Sequence, residues 1–392
     1  RDAVWMAEVD EESTHVWSAK QRITVFLSSM RHFAEALRAR GWTVHYTRLD
    51  ASGNRGTLAA ELQHAIDMLV PDALVMTAPG DWRVLQSLRA VAKASNQALE
   101  IRDDRNFFST VREFAAHAEG RKQLRLEYWY RELRTKNGIL MEGGKPVGGQ
   151  WNFDADNRKS FGKAGPKNLP SVPKFEWDDI TKDVIALVNT HFADHPGQLD
   201  DFNWPVTRLQ ALQALQSFID ERLPQFGPHE DAMWTHLEFG WHSLLSSSLN
   251  LKLLNPLEVV LAAEAAYKKH GLDLASVEGF IRQVLGWREF MRGVYFLDMP
   301  ELKTANHYGH TQPLPKWYWT GDTQMNCMKQ CIGQTLKNGY SHHIQRLMVT
   351  GMFGVTAELS PQQVCDWYLA VYVDAVEWVE LPNTAGMALF AN

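Results

Sequence analysis

The feature that most constrains this 392-residue chain is a change of hydrophobic period part-way along it. Over the first hundred residues, short apolar runs that suit buried strands alternate with longer stretches whose apolar positions recur every three or four residues, the spacing of a helix face. Ala3–Val9, Trp42–Leu49, Ala73–Thr77 and Ala98–Ile101 read as strands. Ser18–Arg40, stopped by Gly41, and Leu58–Val70 read as helices, and Asp81 caps a third. Alternation of this kind predicts a doubly wound parallel sheet joined by right-handed crossovers. Residue 1 abuts the first strand with no turn before it, so an earlier strand is expected ahead of it. Phe107–Arg134 reads as a long, charged helical stretch, Gly143–Gly149 as a turn, and 162–174, with three prolines among lysines, as a linker.

After about Trp177 the strand signals cease and only the helical period remains. Starts are expected at Thr181, Thr207, Ser276 and Ser360-Pro361, where Gln363 would complete a capping box. Gly339 marks a helix end, and the next helix carries His342 and His343. The expected fold class is therefore an α/β N-terminal domain with a doubly wound parallel sheet, residues 1–135, and an all-α C-terminal domain, residues 181–392, joined by a linker at 136–180.

Composition narrows the chemistry. Lys plus Arg is 40 against 46 Asp plus Glu, a net charge of −6, so a nucleic-acid partner has to be held by a local basic patch. Three cysteines make no disulfide framework, and no apolar run reaches the roughly 18 residues that span a bilayer. A cytoplasmic protein, off the membrane and monomeric, is expected. Fifteen Trp is the most unusual count, and it fits aromatic surfaces around a chromophore as well as ordinary core filler.

Four clusters carry polar groups suited to chemistry. His242 to Ser248, with Asn250, is rich in hydroxyls that donate to phosphate at a helix start, and reads equally as a cap or loop. Gln283, Trp287 and Arg288 combine an amide, a wide aromatic face and a guanidinium, a set that suits a flat heterocycle or a plain amphipathic helix. His342 and His343 point about 100° apart on a helix, which disfavours one shared metal and favours a general acid over a ligand pair. Trp367, Tyr368 and Tyr372 precede Asp374, Glu377, Trp378, Glu380 and Asn383, a mixture that fits a polar ligand in an apolar pocket. Cys327 and Cys331 with a distant Cys365 do not complete a four-ligand site.

Four stretches together resemble one family: Gly148 to Lys159, Ser276 to Phe290, the Ser-His-His-Ile-Gln-Arg-Leu-Met run at 341–348, and Trp-Val-Glu-Leu-Pro-Asn at 378–383. They are similar to the photolyase/cryptochrome family, and within it to the prokaryotic iron–sulfur branch of (6-4) photolyases and related cryptochromes. The resemblance covers essentially the whole chain. It implies light-driven repair of damaged DNA, by electron transfer from photoexcited reduced FAD to a (6-4) pyrimidine dimer, with His343 as proton donor beside His342. The alternative it implies is a blue-light photoreceptor that binds FAD without repair. Ser243, Leu245, Ser246, Asn250, Asp374 and Asn383 would contact FAD. Trp367, Tyr368 and Trp319 would form an electron relay, while Gln283, Trp287 and Arg288 would face the lesion strand. A 6,7-dimethyl-8-ribityllumazine antenna would meet Glu12, and Cys327 would be one of four ligands to a 4Fe–4S cluster, the other three expected beyond Asn392.

Overall fold

A computed structural model of the chain describes residues 2–391. Strand β1 (Ala3–Ala7) leads through the short helix α1 (Glu11–Thr14) and the long α2 (Lys20–Ala39) to β2 (Thr43–Thr47). Then follow α3 (Leu58–Leu69), β3 (Leu74–Thr77), α4 (Trp82–Ala94) and β4 (Leu99–Arg102). The Thr57 hydroxyl accepts from the Ala60 N–H to start α3, and Asp81 accepts from the Val84 N–H at 3.1 Å to start α4, satisfying donors that a helix start leaves free. Strand β1 runs parallel to β2 in the register Ala3–Thr43 to Ala7–Thr47, and β3 parallel to β4 in the register Leu74–Leu99 to Thr77–Arg102.

Among the described residues no ladder joins the two pairs, so the expected continuous sheet is here two separate two-stranded ones. The burial pattern agrees: β3 and β4 alternate half-buried with exposed residues and Val75 is 53% exposed, whereas an interior parallel strand is covered on both faces.

The stretch 107–134 is two helices, α5 (Val111–Ala118) and α6 (Leu126–Asn137), parted at Gly120, whose φ of 70° no helix accommodates. Both pack into the helical half. The Phe114 ring lies so close to Gly293 that a Cβ there would meet it at 2.1 Å, and the Tyr130 hydroxyl donates to Glu278 at 2.7 Å. The helical half runs α7 (Asp179–His191), α8 (Arg208–Ser217), α9 (Leu223–His229), α10 (Ser246–Asn250), α11 (Pro256–His270), α12 (Leu274–Ile281) and α13 (Arg288–Asp298). It continues through α14 (Asn326–Asn338), α15 (Met352–Thr356), α16 (Pro361–Val371) and α17 (Glu377–Leu381).

Thr207 caps α8 reciprocally with Gln210, and Gly339 ends α14 in the left-handed region, both as expected. Two expected starts shift, and a third keeps its cap without the expected box. Asp178 rather than Thr181 caps α7, and Asp273 rather than Ser276 caps α12. Ser276 is buried one turn inside, donating to the Leu223 carbonyl and accepting from the Gly227 N–H. Ser360 does cap α16, but Gln363 turns away to accept from the Leu314 N–H. Four π-helical stretches interrupt the α geometry: Phe218–Arg222, Arg282–Trp287, Ile344–Gly351 and Pro382–Ala388.

The two halves are tied by a buried charge. Glu8, 1% exposed after β1, accepts two bonds from Arg31 of α2 at 2.6 and 2.9 Å, one from Tyr46 of β2 at 2.7 Å and one from the Leu49 N–H at 2.9 Å. Arg31 also reaches Asp183 on α7 at 2.7 Å. Removing one partner of such a pair leaves a bare charge inside. Arg31→Met is therefore expected to lower the unfolding free energy by about 3–5 kcal/mol in a denaturant titration, while Arg38→Met, which breaks the exposed pair with Glu35 and an exposed 3.3 Å bond to the Val44 carbonyl, changes it by about 1 kcal/mol or less.

Candidate functional site

The π stretch Ile344–Gly351 directs Arg346 inward. Its Nη1 and Nη2 donate to the two carboxylate oxygens of Asp374 at 2.9 and 3.2 Å, and its guanidinium lies 3.8 Å above the Tyr372 ring. Asn250, at the end of α10, donates to the Asp374 carbonyl at 2.8 Å. Asn250 and Asp374 are 124 positions apart yet form one unit. Just before α10, Ser243 Oγ accepts from the Leu245 N–H at 3.4 Å, Leu245 is fully buried and Ser246 opens the helix. The hydroxyls of Ser247 and Ser248 are buried with no hydrogen-bond partner among the described residues. A cavity of about 570 Å3 opens beside Ser243 and Leu244, walled by Trp204 and Phe239 and holding Arg222.

The two adjacent histidines have different surroundings. His342 is buried and stacks on His242, ring centroids 4.6 Å apart at 16°. Burial holds both imidazoles neutral, pushing His242 down to about 3 and His342 well below its usual value. His343 is half exposed, and its Nε2 lies 3.1 Å from Asp231 Oδ1. The hydrogen bond from His343 holds the Asp231 carboxyl below its usual range. Next to it, Glu230 is buried, and desolvation pushes its carboxyl up to about 8.

Trp287, expected to face the lesion, and Asn383, expected to contact FAD, meet directly: the indole N–H donates to Asn383 Oδ1 at 2.8 Å. Gln283 is exposed on the π stretch leading to Trp287. Arg288 departs from expectation. It is buried, donating to the Asn106 carbonyl at 2.9 Å and lying 4.0 Å over the Phe107 ring and 5.0 Å over Trp378, so it clamps the junction of the two halves instead of facing a strand outside. Burial lowers its pKa to about 10.

Trp367 is fully buried. It packs against Tyr368 at 5.3 Å, Tyr372 at 5.9 Å and Tyr318 at 5.0 Å. Trp319 instead pairs with the part-exposed Trp17 at 4.9 Å. Glu12 lines a second cavity of about 180 Å3 with His15, Arg22, Gly80 and Trp378, and accepts two bonds from Arg83, each 2.9 Å. Cys327 is exposed at the start of α14, whereas Cys331 and Cys365 are buried. Among the described residues no group of three or more metal-ligating side chains converges, so of the four thiolates an iron–sulfur cluster takes these residues would supply Cys327 alone.

The sequence reading missed Arg222 and Asp231 altogether. Arg222 ends a π stretch that looks like ordinary amphipathic helix, and Asp231 sits in irregular chain with no period to mark it. For Glu230 the sign of the pH effect is set by its raised pKa. Between about 4.5, its unfolded value, and about 8, the folded chain holds a proton that the unfolded chain releases, so stability falls as pH rises across that window. Glu230→Gln is expected to flatten that slope, gaining up to a few kcal/mol on the wild type between pH 5 and 8 by thermal or denaturant unfolding.

Residues 1–204 match the profile of the deoxyribodipyrimidine photo-lyase-related protein family. A (6-4) photolyase of Agrobacterium fabrum is 48% identical over 393 residues, a span covering 100% of this chain and 77% of that protein. An uncharacterized protein of Acanthamoeba polyphaga mimivirus is 30% identical over 114 residues, 29% of this chain and 87% of the viral one. A class III photolyase from Agrobacterium tumefaciens superposes with a TM-score of 0.64 at 14% identity, covering 100% of this chain and 81% of that one. A Synechocystis cryptochrome gives 0.62 at 12%, covering 98% and 82%. At such identities the structural likeness speaks for the fold, and sequence and fold agree: the chain belongs to the deoxyribodipyrimidine photo-lyase-related family and has the photolyase/cryptochrome architecture.

Proposed function

We propose that this protein is a light-driven (6-4) photolyase acting on damaged DNA. The observation that carries the reading is the accessible His343–Asp231 pair adjoining a buried, neutral His342, outside the Arg346–Asp374–Asn250 unit. Those last three residues, with Ser243 to Ser246, would hold FAD, and the bare hydroxyls of Ser247 and Ser248 fit a polar cofactor in their vicinity. Bound there, FAD would supply light-driven one-electron chemistry.

The chain's own residues do the rest. His343 Nε2 lies 3.1 Å from Asp231 Oδ1, a contact that orients the ring, so a pyrimidine dimer flipped from the duplex meets a positioned imidazole as proton donor. Trp287, fixed through its N–H by Asn383, presents a half-buried ring face on which a splayed base stacks for about 1–3 kcal/mol. Lys159 and Lys163 are exposed and offer phosphate contacts that the net charge of the chain does not. Trp367 and Tyr368 would offer a buried path for electrons, with Trp319 and Trp17 nearer the surface. A lumazine antenna is assigned to the cavity at Glu12, where burial raises the carboxyl and Gly80 leaves room for the Trp378 ring.

Purified protein under blue light should restore a (6-4) lesion in a synthetic duplex. His343→Ala should slow this by about 10²–10⁴-fold while keeping the flavin absorption spectrum. Repair at the wild-type rate by that variant would refute the assigned role, and wild-type photoreduction with no lesion turnover would favour the photoreceptor reading.

A further inference from the structure

Arg222 is the outlier among the buried charges. It is 1% exposed, and its Nε and Nη1 have no hydrogen-bond partner among the described residues. A guanidinium withdrawn from water with its donors unmet is costly, and the other buried arginines here are bonded, Arg31 to the Glu8 carboxylate and Arg134 and Arg292 to backbone carbonyls. Acidic groups do line the same cavity of about 570 Å3, but none lies within ion-pair distance of Arg222. Glu238 is taken by Lys337 at 2.7 Å, and Asp200 and Asp201 are exposed. A second buried donor faces the same space unmet, the Nδ2 of Asn338, and Ser243 brings a hydroxyl. Arg222 and Asn338 leave these donors unmet among the described residues, and the one buried unmet side-chain acceptor in the lining is Gln21 Oε1.

Resting on the flavin reading above, we infer that Arg222 is the counter-ion of the cofactor's diphosphate, with Ser243 and Asn338 as neutral donors around it. An anion with several acceptor oxygens satisfies a planar fork and two neighbouring donors together, which a single buried water cannot do. The walls agree with this placement: Trp204 and Phe239 are apolar, and among the described residues of the lining the guanidinium is the one buried charge. Burial lowers the Arg222 pKa from its usual value, the direction expected for a cation whose anion is not provided by the protein.

The test compares FAD with riboflavin, which has the same ring and no phosphate. Flavin-free full-length chain is titrated with each, following flavin fluorescence. Arg222→Gln should weaken FAD binding on the order of 10- to 100-fold and leave riboflavin within about twofold, and Arg222→Lys should recover part of the loss. Wild-type affinity for FAD in the Gln variant, or an equal loss of both flavins, overturns the assignment. Because the variant may be read only if folded, the wild type provides an independent measurement: inorganic pyrophosphate should compete with FAD and not with riboflavin, and absence of that competition also overturns it. Wild-type chain that takes up neither flavin refutes the flavin reading itself, and this inference with it, whereas an unaltered FAD affinity in the Gln variant refutes the role of Arg222 alone.

Discussion

The Arg346–Asp374 pair is the interaction on which the arrangement of this protein's centre depends. Two charges taken from water cost more than their attraction returns unless the geometry is near ideal and the remaining donors and acceptors are met. Here the fork is bidentate, the Tyr372 ring covers one face of the guanidinium, and Arg346 Nε bonds the Ser341 carbonyl at 2.6 Å. Asn250 then fixes the backbone that carries Asp374. Three segments with no local reason to meet, namely the end of α10, the π stretch after the histidines and the turn following α16, are locked into one frame. Loosening the pair would release all of them at once.

The same low dielectric divides groups that look alike in sequence. His342 and His343 are neighbours, yet one stacks on His242 in a dry interior where a charge is not tolerated, and the other shares a half-exposed position with a carboxylate. Glu230 and Asp231 repeat the division with opposite sign: burial raises the first and the imidazole lowers the second. Adjacent residues in a helical or tightly turned segment point to different sides, so a pair of identical side chains becomes one structural member and one available to chemistry.

Much of the fold was legible because period and caps are local signals. The four strands of the first half, the helical second half, the start at Thr207 and the stop at Gly339 lie where apolar spacing and terminal residues put them. The continuity of the sheet was not legible, since whether β1 and β3 pair depends on contacts between distant segments and not on the pattern within either. Arg288 misled for a related reason. A basic residue beside a tryptophan resembles a phosphate contact, and nothing in the spacing shows that α13 is buried from Arg288 through Tyr295. Asp374 and Asn250 were legible as polar residues in apolar company, but their union through Arg346 was not.

The positions that local rules handle worst coincide with the π-helical stretches. A π turn inserts one extra residue, gives up regular i to i−4 bonding and rotates everything after it by about 100° relative to the preceding face, so the 3.6-residue pattern loses its phase there. The four stretches carry or abut Arg222, Trp287, Arg346 and Asn383, side chains that an uninterrupted helix would point elsewhere. A regular helix offers one apolar stripe to a core, whereas this centre needs polar side chains delivered inward from helices whose inner faces are otherwise apolar. Shifting phase once, at the residue concerned, achieves this without exposing the stripe on either side, so the phase breaks in the period are themselves a guide to the chemistry.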